Sequence, residues 1–234
     1  MMIVKAVTAY VPLEVKHLTR QQYTALGNGL VSALGDKIKV FYDYPLEDCW
    51  LYRYMKEHVM PDLPPATEVP SDRYATPRHM VLSNIVQHQR TAWAMIAAAA
   101  DPRVDVWVWL DYGVLKQGAW TGKPVTEEII ATFISRIEAM ERMNYIPFPG
   151  IWEKGVPSDT GANWRFVGST HIWPSRYLPA IDRSYNWECR RFIQRTSTVP
   201  IDLPIWAYTE LNSGLPFRQY VANHDATQFT GFVP

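Results

Sequence analysis

The sequence predicts an α/β fold, a mostly parallel central sheet flanked by helices, and three observations carry that prediction. A β-rich run, a capped amphipathic helix and a second β-rich run follow one another between Ile3 and Asp43. The run "VDVWVWL", Val104 to Leu110, is apolar on both faces, as a central strand covered by helices on each side must be. Past Pro147 the pattern changes to short strands and loops rich in Gly, Pro and aromatic residues. A Rossmann-like half over residues 1–117 and an α+β half over 118–234 read together as a single domain.

Local chemistry justifies each element in turn. Ile3 to Thr8 is a buried first strand. In "HLTRQQYTALGNGLVSALGDK", Thr19 and Gln22 have capping-box spacing. Tyr23, Leu26, Leu30, Val31 and Leu34 share one helical face, and Gly35 suits the position after the last turn. The two glycines of "LGNGL" fall inside this helix and form no phosphate loop. "KIKVFYDY" is the second strand, and the short connections favour parallel pairing through a right-handed crossover. Residues 61–77 contain five prolines, which leaves a long loop, either a lid over a site or an irregular surface crossing. One long helix is expected from Arg78 to Ala100, its apolar stripe including Ile85, Trp93 and Ile96, stopped by Asp101-Pro102. In the strand that follows, Val104, Val106, Val108 and Leu110 face one way, and Asp105, Trp107, Trp109 and Asp111 the other. "PVTEEIIATFISRIEAMERM" is a helix with Thr126 as N-cap, Glu127 and Glu128 against the dipole, and Val125 with Ile130 as a hydrophobic staple. "RSYNWECRRFIQRTS" and "PIWAYTELNSGL" read as two further helices.

Composition removes several function classes. Lys+Arg and Asp+Glu both number 23, so the zero net charge argues against a broad non-specific grip on nucleic acid. Two cysteines in 234 residues make a disulfide framework or a cysteine zinc site poor readings. The start, "MMIVKAVTAYVPL", reads as a strand rather than a signal peptide, and no apolar run approaches the ~20 residues of a membrane span. A cytoplasmic protein is the expectation. Neither a P-loop nor a G-x-G-x-x-G pattern occurs, and no G-x-S-x-G elbow marks a nucleophilic hydrolase. Ten Trp and thirteen Tyr suit a site that stacks on flat ligands, and equally a large aromatic core.

Ligands of open parallel sheets bind beyond the carboxyl ends of the strands. Three strand ends therefore define one rim: Thr8 and Tyr10 from the first, Asp43 from the second, and Asp111, Tyr112 and Gly113 from the central one. Gly113 lets the backbone approach a ligand or turn sharply. Arg78 and His79, in the first turn after the proline loop, are either an exposed basic pair or a phosphate contact. His17, His58 and His88 have no ligand spacing and read as structural or surface residues.

Trp109 to Gly113, W-L-D-Y-G after an apolar strand, resembles the metal-binding strand end of GT-A-fold glycosyltransferases, in the form found in small bacterial single-domain members. Gly113 stands where the family's short acidic motif often has a second Asp. The resemblance implies a transferase that takes a nucleotide-diphosphate sugar, with Mn²⁺ or Mg²⁺ held at the diphosphate by Asp111 and His224. "NWRFVGSTHIWP" is similar to the family's acceptor-side strand and loop, which points Arg165, Gly168, Ser169 and His171 at the acceptor or sugar. Glu210, in "IWAYTELNSG", and Asp225, in "YVANHDATQF", are the candidates for a general base on the acceptor hydroxyl. The acceptor is left open between a glycan, a small molecule and, disfavoured by the neutral charge, modified nucleic acid. Two other readings stand beside this one: a different metal-dependent nucleotidyl or phosphoryl enzyme, and a non-catalytic nucleotide- or sugar-binding protein of the same fold.

Overall fold

The computed structural model describes residues 1–11, 19–43, 45–58, 61, 77–155, 157, 165–197 and 199–234, without the side chains of 77–81 and 120. The lid reading therefore falls on residues outside the described ones. In chain order the elements are β1 (Val4–Tyr10), α1 (Arg20–Leu34), β2 (Ile38–Tyr42), α2 (Trp50–His58), α3 (Pro77–His88), α4 (Arg90–Ala100), β3 (Val106–Leu110), α5 (Glu127–Glu138), β4 (Ile146–Gly150), β5 (Thr170–Pro174), α6 (Leu178–Thr196), α7 (Asp202–Asn212), β6 (Phe217–Val221) and α8 (Thr227–Thr230). The main sheet has the order β2-β1-β3-β5. Its first three strands are parallel, and β5 runs antiparallel to β3. A second, parallel pair joins β4 to β6. No described helix is long and apolar enough to cross a membrane.

The central strand divides the core as its alternation predicts. Val106, Val108 and Leu110 pack with Leu30 and Leu34 of α1 and with Ile130, Phe133, Ile134 and Ile137 of α5. Trp107 and Trp109 pack on the opposite face with Trp93, Ala94 and Ala97 of α4, Tyr185 and Phe192 of α6, and Trp206 of α7. Val104, expected with the first set, precedes the strand and belongs to the second. Both cores draw on residues from either side of residue 117.

Helix ends follow the capping rules. Thr19 accepts from the Gln22 N–H, and the Gln22 side chain accepts in return from the Thr19 N–H, which closes a capping box. Thr126 caps α5 through the Ile129 N–H, and Val125 and Ile130 are buried in one core.

The expected helix over 78–100 is two helices, parted at Gln89. No Gly or Pro marks the break. Four consecutive polar residues, His88 to Thr91, are all buried there and look outward for partners. His88 accepts from the Tyr185 hydroxyl at 2.7 Å and donates to the Pro200 carbonyl at 2.9 Å. Arg90 meets two carboxylates, and the Thr91 hydroxyl donates to Asp182 at 2.7 Å. Ile96, expected in the apolar stripe, is exposed.

Candidate functional site

The rim at the strand ends is built from three tyrosines and two aspartates. Register places Tyr10 beside Tyr42, and Tyr112 follows the end of β3. The Tyr10 and Tyr112 rings lie 4.8 Å apart, with Tyr42 at 6.5 Å and 6.0 Å from them. Tyr112 is buried, and burial together with the neighbouring Tyr42 hydroxyl raises its pKa well above the usual phenol range. Tyr42 is half exposed. Asp43 is exposed at the end of β2 in a left-handed conformation, φ 46°, where its N–H donates to the Tyr10 carbonyl.

Asp111 is held from behind by two donors. Its Oδ1 accepts from Trp109 Nε1 at 2.8 Å and from Arg90 Nη2 at 3.0 Å. Residues two apart on a strand share a face, so the indole that fills the core also orients the carboxylate beyond it. Arg90 lies over the Trp109 ring and forms a second ion pair with Asp202, the first residue of α7. The Arg90 and Asp202 side chains are buried, whereas that of Asp111 is 35% exposed. Asp111 Oδ2 carries no hydrogen bond among the described residues. Burial pushes the Asp202 carboxyl up to about 6, a rise that Arg90 opposes and Asp111 reinforces. One guanidinium between two carboxylates leaves the cluster a net negative charge once Asp202 is ionised.

His224 completes this corner. Burial lowers its pKa, against the opposing pull of Asp111 and Asp225, so the neutral imidazole is favoured beside the Asp111 carboxylate. Among the described residues no three His, Cys, Asp or Glu side chains gather as a metal cluster. A hard divalent ion can instead take one carboxylate oxygen and an imidazole, with phosphate oxygens and water completing its shell. Asp111 and His224 are of those two donor types, a carboxylate and an imidazole near enough to interact electrostatically.

Several expected contributors occupy other places. Thr8 is fully buried beneath the rim, with no partner for its hydroxyl among the described residues, so it does not present a group to a ligand. Gly113 has an ordinary φ of −97°, and a Cβ there would meet the Tyr23 ring of α1 at 2.7 Å; the position serves helix–loop packing rather than an open approach. Glu210 and Arg165, expected in different roles, are partners: Arg165 Nε and Nη2 donate to the two Glu210 oxygens at 2.8 and 2.7 Å. With both oxygens engaged and the pair buried, Glu210 does not stand as a free base. The Asp225 carboxylate accepts from the Thr227 N–H at 2.9 Å and from its hydroxyl. Burial raises its pKa, but the Thr227 bonds and Lys123 outweigh that and leave it lowered, which weakens it as a base.

His171 is buried, stacked on Trp173 and Trp206, with its pKa held well below the usual range by burial and then by Arg90. It therefore packs within the core from β5 rather than lining an acceptor surface. Gly168 lies against the start of α7, where a Cβ would come 3.4 Å from both Asp202 oxygens. The Ser169 hydroxyl is buried within 3.0 Å of Gln117 Oε1 and 2.5 Å of Gln228 Oε1, which ties the turn after β3 to the C-terminal segment. Arg78 and His79 do stand in the first turn of α3, and their side chains lie outside the described ones.

Arg90, Asp202, Gln117, Gln228 and Tyr42 are the members that sequence reasoning missed. A lone Arg entering the Ala-rich run "RTAWAMIAAAA" is a signal for Arg90, because an unpaired charge is not buried in a core. Asp202 before Leu-Pro reads simply as a helix start.

No family model matches the chain, and no curated protein matches it in sequence. Among solved structures, a glycosyltransferase involved in the glycosylation of the major capsid of PBCV-1 is similar to it with a TM-score of 0.50 and 10% sequence identity, over 94% of this chain and 81% of that one. The chain thus shares the mixed α/β architecture of a glycosyltransferase, a central sheet flanked by helices, without measurable kinship in sequence.

Proposed function

We propose that the protein is a glycosyltransferase that moves a sugar from a nucleotide-diphosphate sugar to an acceptor hydroxyl, at the rim formed by Tyr10, Tyr42, Asp43, Asp111 and His224. The observation that carries this reading is Asp111 itself. Arg90 and Trp109 hold one of its oxygens, the other carries no hydrogen bond among the described residues, and the side chain is 35% exposed at the end of a buried strand. The shared architecture supports it.

The tyrosine cluster offers ring faces to a nucleobase, with Tyr42 the most exposed of the three. Asp111 and His224 are the residues that would hold Mn²⁺ or Mg²⁺, whose chemistry is to offset charge on the departing diphosphate. Arg90 holds Asp111 in place through its hydrogen-bonded ion pair, and Asp202 holds Arg90 from the other side. Because Asp111 is already held by Arg90 and Trp109, little reorganisation would accompany charge development at the leaving group.

A thermal-shift panel of nucleotide diphosphates and nucleotide sugars, with and without Mn²⁺, tests the reading. One nucleotide class at 100 times its dissociation constant should add about 2.7 kcal/mol in the presence of metal, and Asp111→Ala should abolish the gain. Slow metal-dependent hydrolysis of the same donor would separate a transferase from a protein that only binds. If no nucleotide shifts the midpoint, and Asp111→Ala behaves like the parent, Asp111 is a structural partner of Arg90 and the proposal fails.

A further inference from the structure

Arg183, Trp187, Arg190 and Arg191 recur at helical spacing on the exposed face of α6. They border a cleft of about 840 Å³, completed by Trp50 at the start of α2 and by Asn212 and Ser213 at the end of α7. That volume lies within the roughly 300–1,000 Å³ of ligand sites. None of these residues belongs to the rim.

The wall of the cleft is already ordered by its own bonds. Trp50 Nε1 donates to Asn186 Oδ1 at 3.0 Å, and Asn186 Nδ2 donates to Asp182 Oδ1 at 3.0 Å. The Thr91 hydroxyl reaches the same Asp182 oxygen. The Arg190 guanidinium lies 3.9 Å over the Trp50 ring, a cation–π contact that leaves its N–H donors unused among the described residues. Glu188 is used by Arg191 and Asn212. Among the described residues, Arg183 and Arg190 have no ion pair. Trp187 is 62% exposed, a large indole left in water at the centre of this face.

We propose that this cleft binds an acidic saccharide. The apolar C–H face of a sugar ring would stack on Trp187, and its carboxylate or sulfate would meet Arg183 and Arg190 in charge-assisted hydrogen bonds. Asp182 Oδ2, which accepts no hydrogen bond among the described residues, is left to accept from a ring hydroxyl. A nucleic-acid strand is the poorer fit: the chain's net charge is zero, and a sugar ring offers the Asp182 carboxylate several hydroxyls where a DNA backbone offers none.

The test is calorimetric titration of the full chain with hexasaccharides of galacturonan, hyaluronan and heparin, a methyl-esterified galacturonan as the uncharged control, and oligothymidylate. At least one acidic hexasaccharide should bind, and at least tenfold more tightly than the uncharged control and the oligothymidylate. Trp187→Ala and the double variant Arg183→Ala/Arg190→Ala should each weaken that binding at least tenfold. These side chains are exposed, so the melting temperature should hold, and any variant that melts early is replaced by Trp187→Gln or Arg190→Gln. Absence of binding by all three acidic sugars, equal binding of the uncharged control, tighter binding of oligothymidylate, or indifference to Trp187→Ala would each overturn the proposal. The titration needs no nucleotide, so failure of the rim as a donor site does not affect its outcome.

Discussion

Trp109 does two jobs with one side chain. Its ring packs 5.8 Å from Trp93 in the core, and its N–H reaches forward to Asp111. Phenylalanine would keep much of the first role and lose the second. Hydrogen bonds to charged groups contribute roughly 1.5–3 kcal/mol, so Trp109→Phe should lower stability by about that amount in urea unfolding. It should also diminish any metal-dependent stabilisation by nucleotide, because Asp111 is then held by Arg90 alone. Unchanged values for both would mean that the indole bond orients nothing.

At the scale of elements, α1 shows how one helix serves both fold and rim. Gly27 and Gly29 lie inside it, where glycine costs about 1 kcal/mol relative to alanine. A Cβ at Gly27 would fall 1.9 Å from the Tyr112 ring, which is itself packed against Tyr10 and Tyr42. At Gly29 the nearest atom, 2.5 Å away, is the mobile end of Glu127. Gly29→Ala should therefore stabilise the protein by up to about 1 kcal/mol. Gly27→Ala should destabilise it by about 1–3 kcal/mol through overpacking and displace Tyr112 from the rim. Denaturant midpoints of the two variants, moving in opposite directions, check this; movement in the same direction would refute it.

Across the whole molecule, buried titratable groups set the pH response. Burial lowers His88 to about 4 and His171 well below its usual value. The unfolded chain takes up protons on these rings near pH 6.5 and the native state does not, so their contribution to stability grows as pH rises from about 4 to 6.5. Asp202 acts with the opposite sign. It holds its proton in the native state up to about 6 but only to 3.8 when unfolded, so its contribution falls through that window. His224, also lowered by burial, acts in the same sense, so three histidines oppose one aspartate and the balance rises with pH near pH 5. Urea unfolding should show stability rising from pH 5 to 6.5, and Asp202→Asn should steepen the rise. A fall over that interval would contradict the assignment.

The sequence by itself determined the kind of β1, α1, β2, β3 and α5 and which of their residues face the core, whereas α2, β6 and α8 were not legible in it. Alternation along Val106–Leu110, the capping box at Thr19 and the N-cap at Thr126 are relations between residues a few positions apart, which the strand and helix repeats record directly. It also placed Tyr10, Asp43, Asp111 and Tyr112 at one edge, because parallel strands finish on the same side. Only the tertiary structure decided what those residues meet. Arg90 reaches Asp111 and Asp202, 21 and 112 positions away, and Glu210 is taken by Arg165, 45 positions away. Periodicity is silent on such pairs, since they depend on which helix packs over which strand. The break at Gln89 has the same origin: a buried polar segment bends to its distant partners, and no residue within it announces the turn.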